Sequence, residues 1–368
     1  MKAERLPLPL NPHIEALPPY NAGMNLAVAR EKSGRDDIAG LASNENADGC
    51  SPAVLRALTG FDPSRYSDPN CTELKAALAH KLAITPERVV VGNGSEEMIA
   101  ALCRAALRPG ARVGTVVPGF GLHEIEALAA GATVEKVAMG PGLVFDVPAI
   151  VTLLQTKPAL FFLASPSNPV GPALDRAGLA AIIAAVAPET LFVLDEAYVE
   201  FRDADTPDGL AMLAGTDIAW AVLRTFSKAY GLAGLRVGYA VTSDLRLARV
   251  LSAAKTPFNV NAAAQRAAIA ALEDEAWMRA SVNRVRHARQ KLADEISALG
   301  LFVAPSETNF LFIDTGSDSL GVQEHLLSSG IVVKPWRERS FETFIRVTVG
   351  TDDQNARFAG ALREFVTG

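Results

Sequence analysis

Residues 219–240 read AWAVLRTFSKAYGLAGLRVGYA, and the organisation of the whole chain follows from how this stretch is understood. The apolar run from Ala219 to Leu223 has the length and composition of a buried strand. It breaks into Arg224-Thr225-Phe226-Ser227-Lys228. Gly231, Gly234 and Gly238 loosen the next turn around Arg236, and a second strand begins at Val237. Lysine is among the residues least often fully buried, so one set at the end of a core strand calls for a chemical reason. A surface lysine closing a buried strand is the plainer reading. Its neighbours argue otherwise: Thr225, Ser227 and Arg236 supply hydroxyls and a guanidinium fork, the equipment for holding an anion such as phosphate beside the amine.

Outward from this segment, helical and strand patterns alternate. A helix opens at Ser51-Pro52, and another spans 72–82 with Thr72 as its cap. Strand 88–91 leads to a helix capped by Ser95-Glu96-Glu97, and strand 112–117 precedes helix 120–130 and strand 132–139. Strand 159–164 (ALFFLA), helix 179–186 and strand 191–194 complete the series. Strands spaced by helices predict an α/β domain over 45–256, with a mostly parallel sheet and right-handed crossovers. After Pro257 the pattern changes to helices 262–272 and 275–299, then strands 309–314, 331–333 and 344–349. This predicts a smaller α+β domain over 257–368. Residues 1–44, proline-punctuated with a helix near 25–32, read as an N-terminal arm packing with the smaller domain.

With 368 residues, 49% hydrophobic and 21% charged, the chain has the make-up of an ordinary two-domain globular protein. A net charge of −6 argues against a nucleic-acid footprint. Cys50, Cys71 and Cys103 form no C-x-x-C pair and the five histidines no H-x-x-x-H pair, so neither a disulfide framework nor a metal site is expected. The N-terminus lacks the apolar core of a signal peptide, and no run reaches the roughly 18 apolar residues of a membrane span. A cytoplasmic protein is the expectation.

In an open parallel sheet, ligands sit beyond the carboxyl ends of the strands. Strand 88–91 runs into Gly92-Asn93-Gly94-Ser95-Glu96, either a plain loop or an anion site on a helix N-terminus. Strand 159–164 ends in Ser165-Pro166-Ser167-Asn168-Pro169, where Asn168 either caps a tight turn or aims its amide into the crevice. Strand 191–194 ends in Asp195-Glu196-Ala197-Tyr198. A carboxylate there needs a cation against desolvation, either a bound protonated ring nitrogen or a nearby arginine.

The run from Ser227 to Tyr239, S-K-A-Y-G-L-A-G-L-R-V-G-Y, resembles the lysine segment of fold-type I, pyridoxal phosphate (PLP)-dependent aminotransferases, most closely the histidinol-phosphate aminotransferase branch. The order of anion turn, Asn, Asp-x-x-Tyr and Ser-Lys follows that family over nearly the whole chain. The resemblance implies that Lys228 carries PLP, that Asp195 pairs with its ring nitrogen, and that Asn168 and Tyr198 bond its ring hydroxyl. Lys228, Asp195 and Tyr198 would be the catalytic residues. Ser95, Glu96, Thr225, Ser227 and Arg236 would hold the phosphate, with Phe120 stacked on the ring where the family usually has Tyr. Arg65-Tyr66-Ser67-Asp68-Pro69 resembles the segment whose tyrosine reaches the partner subunit's cofactor, which implies a homodimer completed by Tyr66. Pro257-Phe258-Asn259-Val260 and Thr308-Asn309-Phe310 also match.

For the substrate, the resemblance points to Tyr20, Asn46, Lys334 and Arg346, the last in Phe344-Ile345-Arg346-Val347-Thr348-Val349-Gly350. Departures cluster here. The family's N-E-N-P-x-G-P stands as Asn44-Glu45-Asn46-Ala47-Asp48-Gly49-Cys50, and Lys334 replaces an arginine. The implied reaction moves an amino group from a small-molecule donor to a 2-oxo acid, usually 2-oxoglutarate, with histidinol phosphate as the expected donor. An aromatic amino acid donor is the alternative, followed by a PLP-dependent decarboxylation of an amino-acid phosphate.

Overall fold

The computed structural model describes residues 9–17 and 23–368. Its strands, in chain order, are β1 (Ala39–Gly40), β2 (Val89–Gly92), β3 (Arg112–Val117), β4 (Thr133–Ala138), β5 (Leu160–Ala164), β6 (Leu191–Asp195), β7 (Trp220–Thr225), β8 (Gly238–Thr242), β9 (Phe302–Val303), β10 (Phe310–Asp314), β11 (Ile331–Val332), β12 (Lys334–Pro335) and β13 (Phe344–Thr348). Seven form the central sheet, in the order β2-β8-β7-β6-β5-β3-β4. All run parallel except β8, which is antiparallel to both of its neighbours.

The sheet is buried on both faces, as its unbroken apolar strands require. Because side chains alternate along a strand, Phe161, Leu163, Phe192, Leu194 and Val222 enter one core. Leu160, Phe162, Leu191, Val193 and Leu223 enter the other. A four-stranded sheet, β12-β13-β10-β9, carries its own core of Leu311, Ile313, Ile345, Val347 and Leu362. From the N-terminal segment, β1 pairs in parallel with β11 (Ala39 with Ile331), so residues 39–40 are tied to the C-terminal part of the chain.

Several local expectations need correction. Helices at Val147–Gln155 and Leu245–Ala254 have no counterpart in the sequence reading, and the helix expected from 179 begins at Arg176. Each starts with an aspartate whose side chain accepts a backbone N–H of the first turn: Asp146, Asp175 and Asp244. Thr72 is not the cap of its helix. Cys71 holds that position in a left-handed conformation (φ 50°), and Asp68 accepts from Thr72 N at 2.6 Å. Ser95 likewise lies inside a helix that starts at Gly94, and Glu97 reaches back to accept from Asn93 N at 2.6 Å. That leaves the Ser95 hydroxyl out of the capping hydrogen bonds.

Candidate active site

The carboxyl ends of β5, β6 and β7 open onto a cavity of about 470 Å³, closed on its far side by β12, β13 and residues 42–44. Asp195, the last residue of β6, is buried at 4% exposure. The arginine partner weighed for it goes elsewhere. Alternation turns the next residue, Glu196, to the other side of the strand, where Arg224 donates to its Oε2 at 2.9 and 2.7 Å. Asp195 instead meets His123: Nε2 lies 3.1 Å from Oδ2, and Ala197 N donates to Oδ1 at 3.1 Å. His123 is fixed in turn, stacked on Phe162 with centroids 4.6 Å apart and edge-on to Phe120 at 5.6 Å. Sequence reading missed His123 as part of the site. The signal was its place three residues after Phe120, one helical turn along the helix Gly121–Ala129.

Lys228 follows β7 and points its Nζ at Ser43 O, 3.2 Å away, and over the Tyr198 ring at 6.0 Å. Burial first, and then the positive charge of Arg346, bring its amine down to about 8 against the opposing pull of Glu45 and Glu96. An amine that is partly neutral near neutral pH can act as nucleophile and base. Tyr198 is packed edge-on against Phe310, and its hydroxyl accepts from Asn44 Nδ2 at 2.8 Å.

Beside Lys228 lies a cup. Ser227 N donates to Thr225 Oγ1 at 3.1 Å, Thr225 Oγ1 donates to Ser227 Oγ at 3.0 Å, and Arg236 Nη1 reaches Ser227 Oγ at 3.4 Å. Arg236 Nη2 donates to Glu96 Oε2 at 3.1 Å, and the N-terminal turn of the helix Gly94–Ala106 forms the cup's far wall with Ser95. Glycine keeps the space clear at two positions. A Cβ on Gly94 (φ +78°) would sit 2.5 Å from Arg236 Nη2, and one on Gly238 would collide with Ser95 N. Hydroxyls, a guanidinium and a helix N-terminus around a space kept clear by glycine are fitted to a phosphate group.

Across the cavity, Arg346 Nη1 donates to Asn168 Oδ1 at 2.6 Å and Nη2 to Ala42 O at 2.8 Å. Its guanidinium lies over the rings of Phe310 at 5.3 Å and Trp336 at 6.0 Å. Lys334 is the direct cross-strand neighbour of Arg346, and burial, helped by that arginine, brings its amine down to about 8. Like charges directly opposite on a sheet are unfavourable without an anion between or beside them.

Of the remaining expected residues, Phe120 lines the cavity. Asn46 does not: its amide donates to Ala229 O and Ser281 Oγ, both at 3.0 Å, and Asn44 takes the place at the wall. Tyr66 lies on the surface at 88% exposure, against Phe258 at 5.0 Å, and away from this cavity's walls. Tyr20 falls outside the described residues. Among the described residues, no group of three His, Cys, Asp or Glu side chains could hold a metal ion.

The model of the aminotransferase class I and II family matches residues 36–362. The chain belongs to that family. This aminotransferase is 42% identical to histidinol-phosphate aminotransferase 3 of Rhizobium meliloti (strain 1021) over 359 residues, covering 97% of each chain. It is 37% identical to a histidinol-phosphate aminotransferase of Moorella thermoacetica over 356 residues, 96% of this chain and 92% of the relative. Among solved structures, the histidinol-phosphate aminotransferase from Sinorhizobium meliloti in complex with pyridoxal-5'-phosphate superposes with a TM-score of 0.89 at 28% identity, covering 97% of both chains. The expected fold-type I architecture, a mostly parallel α/β sheet with a smaller α+β unit, is thereby borne out. The aminotransferase is an enzyme that works on a small-molecule amino donor and a 2-oxo acid. No helix among the described residues is long and apolar enough to cross a membrane.

Proposed function

We propose that this aminotransferase transfers the amino group of histidinol phosphate to 2-oxoglutarate, a step of histidine biosynthesis, with PLP as its cofactor. The apposition of Lys334 and Arg346 at the cavity wall carries the reading of the donor. Two cations side by side match a phosphate dianion, whereas a lone carboxylate is satisfied by one bidentate arginine. The relatives named above support the same donor.

The site fits PLP. The cup of Ser95, Thr225, Ser227 and Arg236 would hold its phosphate, Asp195 its ring nitrogen, Asn168 and Tyr198 its ring hydroxyl, and Phe120 a ring face, all of them residues that line the cavity. When bound, PLP supplies an electron sink for the bond that breaks at the donor's Cα. Lys228 would hold the cofactor, and its amine would take the proton from the donor's Cα and give it back. Asp195, oriented by His123 and Ala197 N, would favour a proton on the ring nitrogen. Arg346 and Lys334 orient the donor by its anionic group, so that the Cα–H bond is presented to the Lys228 amine.

The test is a donor panel with 2-oxoglutarate as acceptor. Histidinol phosphate is expected to exceed phenylalanine and tyrosine in kcat/KM. An aromatic amino acid ahead by tenfold, about 1.4 kcal/mol of transition-state preference, would reject it. Arg346→Ala lowers turnover of every donor, while Lys334→Ala lowers mainly that of the phosphate donor.

We further assign a division into an arm (1–44), a large domain (45–256) and a small domain (257–368), a cytoplasmic location, and a homodimer in which Tyr66 reaches the neighbouring phosphate cup. The exposure of the neighbouring, tilted Tyr66–Phe258 rings supports the dimer, since two such rings in water gain by being covered. The enzyme is expected to sediment as a dimer, with Tyr66→Phe weakening PLP retention; a fully active monomer would contradict this.

A further inference from the structure

The cavity wall carries a polar group that the anion-binding pair does not explain. Glu338, two residues after Trp336, lines the same cavity. Trp336 Nε1 donates to its Oε2 at 3.2 Å, which fixes the carboxylate against the wall. Its second oxygen, Oε1, accepts no hydrogen bond from the described residues. The charges that act on Glu338 are those of Lys136 and Glu124, from β4 and the helix Gly121–Ala129, and Lys136 Nζ is itself bound to Glu124 Oε1 at 2.7 Å. Arg346 and Lys334 are not among them. Burial raises the Glu338 carboxyl above its ordinary range, the mark of an acid set partly out of water without a full cationic partner.

We propose that Glu338, oriented by Trp336, reads the donor's side chain by accepting a hydrogen bond from a ring N–H. It thereby selects an imidazole over a phenyl ring of similar size. The proposal rests on this cavity being the donor site of the aminotransferase. The chemistry is one-sided. A flat ring enters against the aromatic wall of Trp336, and only a ring with an N–H satisfies the half-buried carboxylate. A phenyl ring strips water from that carboxylate and returns nothing, a stronger penalty than any loss of contact area.

Histidine and phenylalanine share every group except the ring, and histidinol phosphate and histidine share the ring but differ in the anion. The ratio of kcat/KM for histidine to that for phenylalanine in the PLP-loaded enzyme, with 2-oxoglutarate as acceptor, therefore tests Glu338 independently of the phosphate reading. Glu338→Gln is expected to lower this ratio by about tenfold, and Glu338→Leu by more, because a charge-assisted hydrogen bond is lost. The same fall is expected for histidinol phosphate relative to phenylalanine. Trp336→Phe keeps an aromatic wall and removes the N–H that orients the carboxylate, so it lowers the ratio by a smaller factor; it carries the test should the Glu338 variants not fold. A ratio unchanged within about twofold, or an equal loss for both amino acids, overturns the proposal. If the wild-type enzyme prefers histidine to histidinol phosphate, the phosphate reading fails while the ring ratio still decides the role of Glu338.

Discussion

Lys228→Met is expected to lower transamination by at least about four powers of ten, because the proposed roles of attachment point and proton carrier both fall to this one amine. The nearest other lysine on the cavity wall, Lys334, lies on β12 beside Arg346, across the cavity from the phosphate cup. Borohydride treatment of the wild-type holoenzyme should fix the cofactor to the chain, and the labelled peptide should contain Lys228. A variant within tenfold of wild-type turnover, or a label on another lysine, would remove Lys228 from this role. The same substitution has a stability signature in the cofactor-free protein. The folded-state amine titrates at about 8 and the unfolded one at about 10.5, so the unfolded chain binds more protons between those values. Below about pH 8 both states are protonated, and the fold carries the full cost of a desolvated charge. As pH rises through the window the native amine is neutral while the unfolded one is still charged, so that cost fades. Lys228→Met should therefore be more stable than wild type near pH 7, with the difference in urea midpoint closing by about pH 10. A difference that grows with pH would contradict the depressed titration.

Asp195→Asn is expected to keep the fold and the cofactor while turnover falls by about two to four powers of ten, the cost of removing a charge whose effect is largest in the transition state. Asparagine has the volume of aspartate and can still accept from Ala197 N, so the geometry at the end of β6 survives. What is lost is the negative charge proposed to keep the ring nitrogen protonated. The arrangement around it belongs to catalysis more than to stability. Glu196, one residue on, holds the buried Arg224 pair, and Asp195 is left to a histidine whose ring is clamped by Phe162 and Phe120. Absorbance of bound PLP against kcat in the same preparation separates the two effects. Near-normal kcat in a loaded variant would rule out the role.

The sequence by itself determined the sheet and the edge at which a site would gather. Apolar runs of four to six residues between helical segments can be satisfied only by strands covered on both faces, and the polar residues that end such runs must gather at one edge. Lys228, Asp195, Asn168 and Ser95 each follow a core strand and line one cavity with Arg236, while the roles proposed for them came from the family resemblance. Helices opened by a single aspartate, such as Asp146 and Asp244, escaped because one cap residue is a weak signal beside an apolar run. Tertiary structure alone decided which partners the charged groups take. Asp195 and Glu196 are adjacent and chemically alike, and only strand alternation sends one to His123 and the other to Arg224. Asn44 and Asn46 lie two residues apart, yet a left-handed turn at Asn44 (φ 55°) brings that residue to Tyr198 and leaves Asn46 bound to Ala229 and Ser281. The facing of Arg346 with Lys334, and the place of Glu338 on the cavity wall, depend on the register of β12 against β13 and on how the two sheets meet. Register and packing are sums over many distant contacts, each too small to be written in any local run of residues.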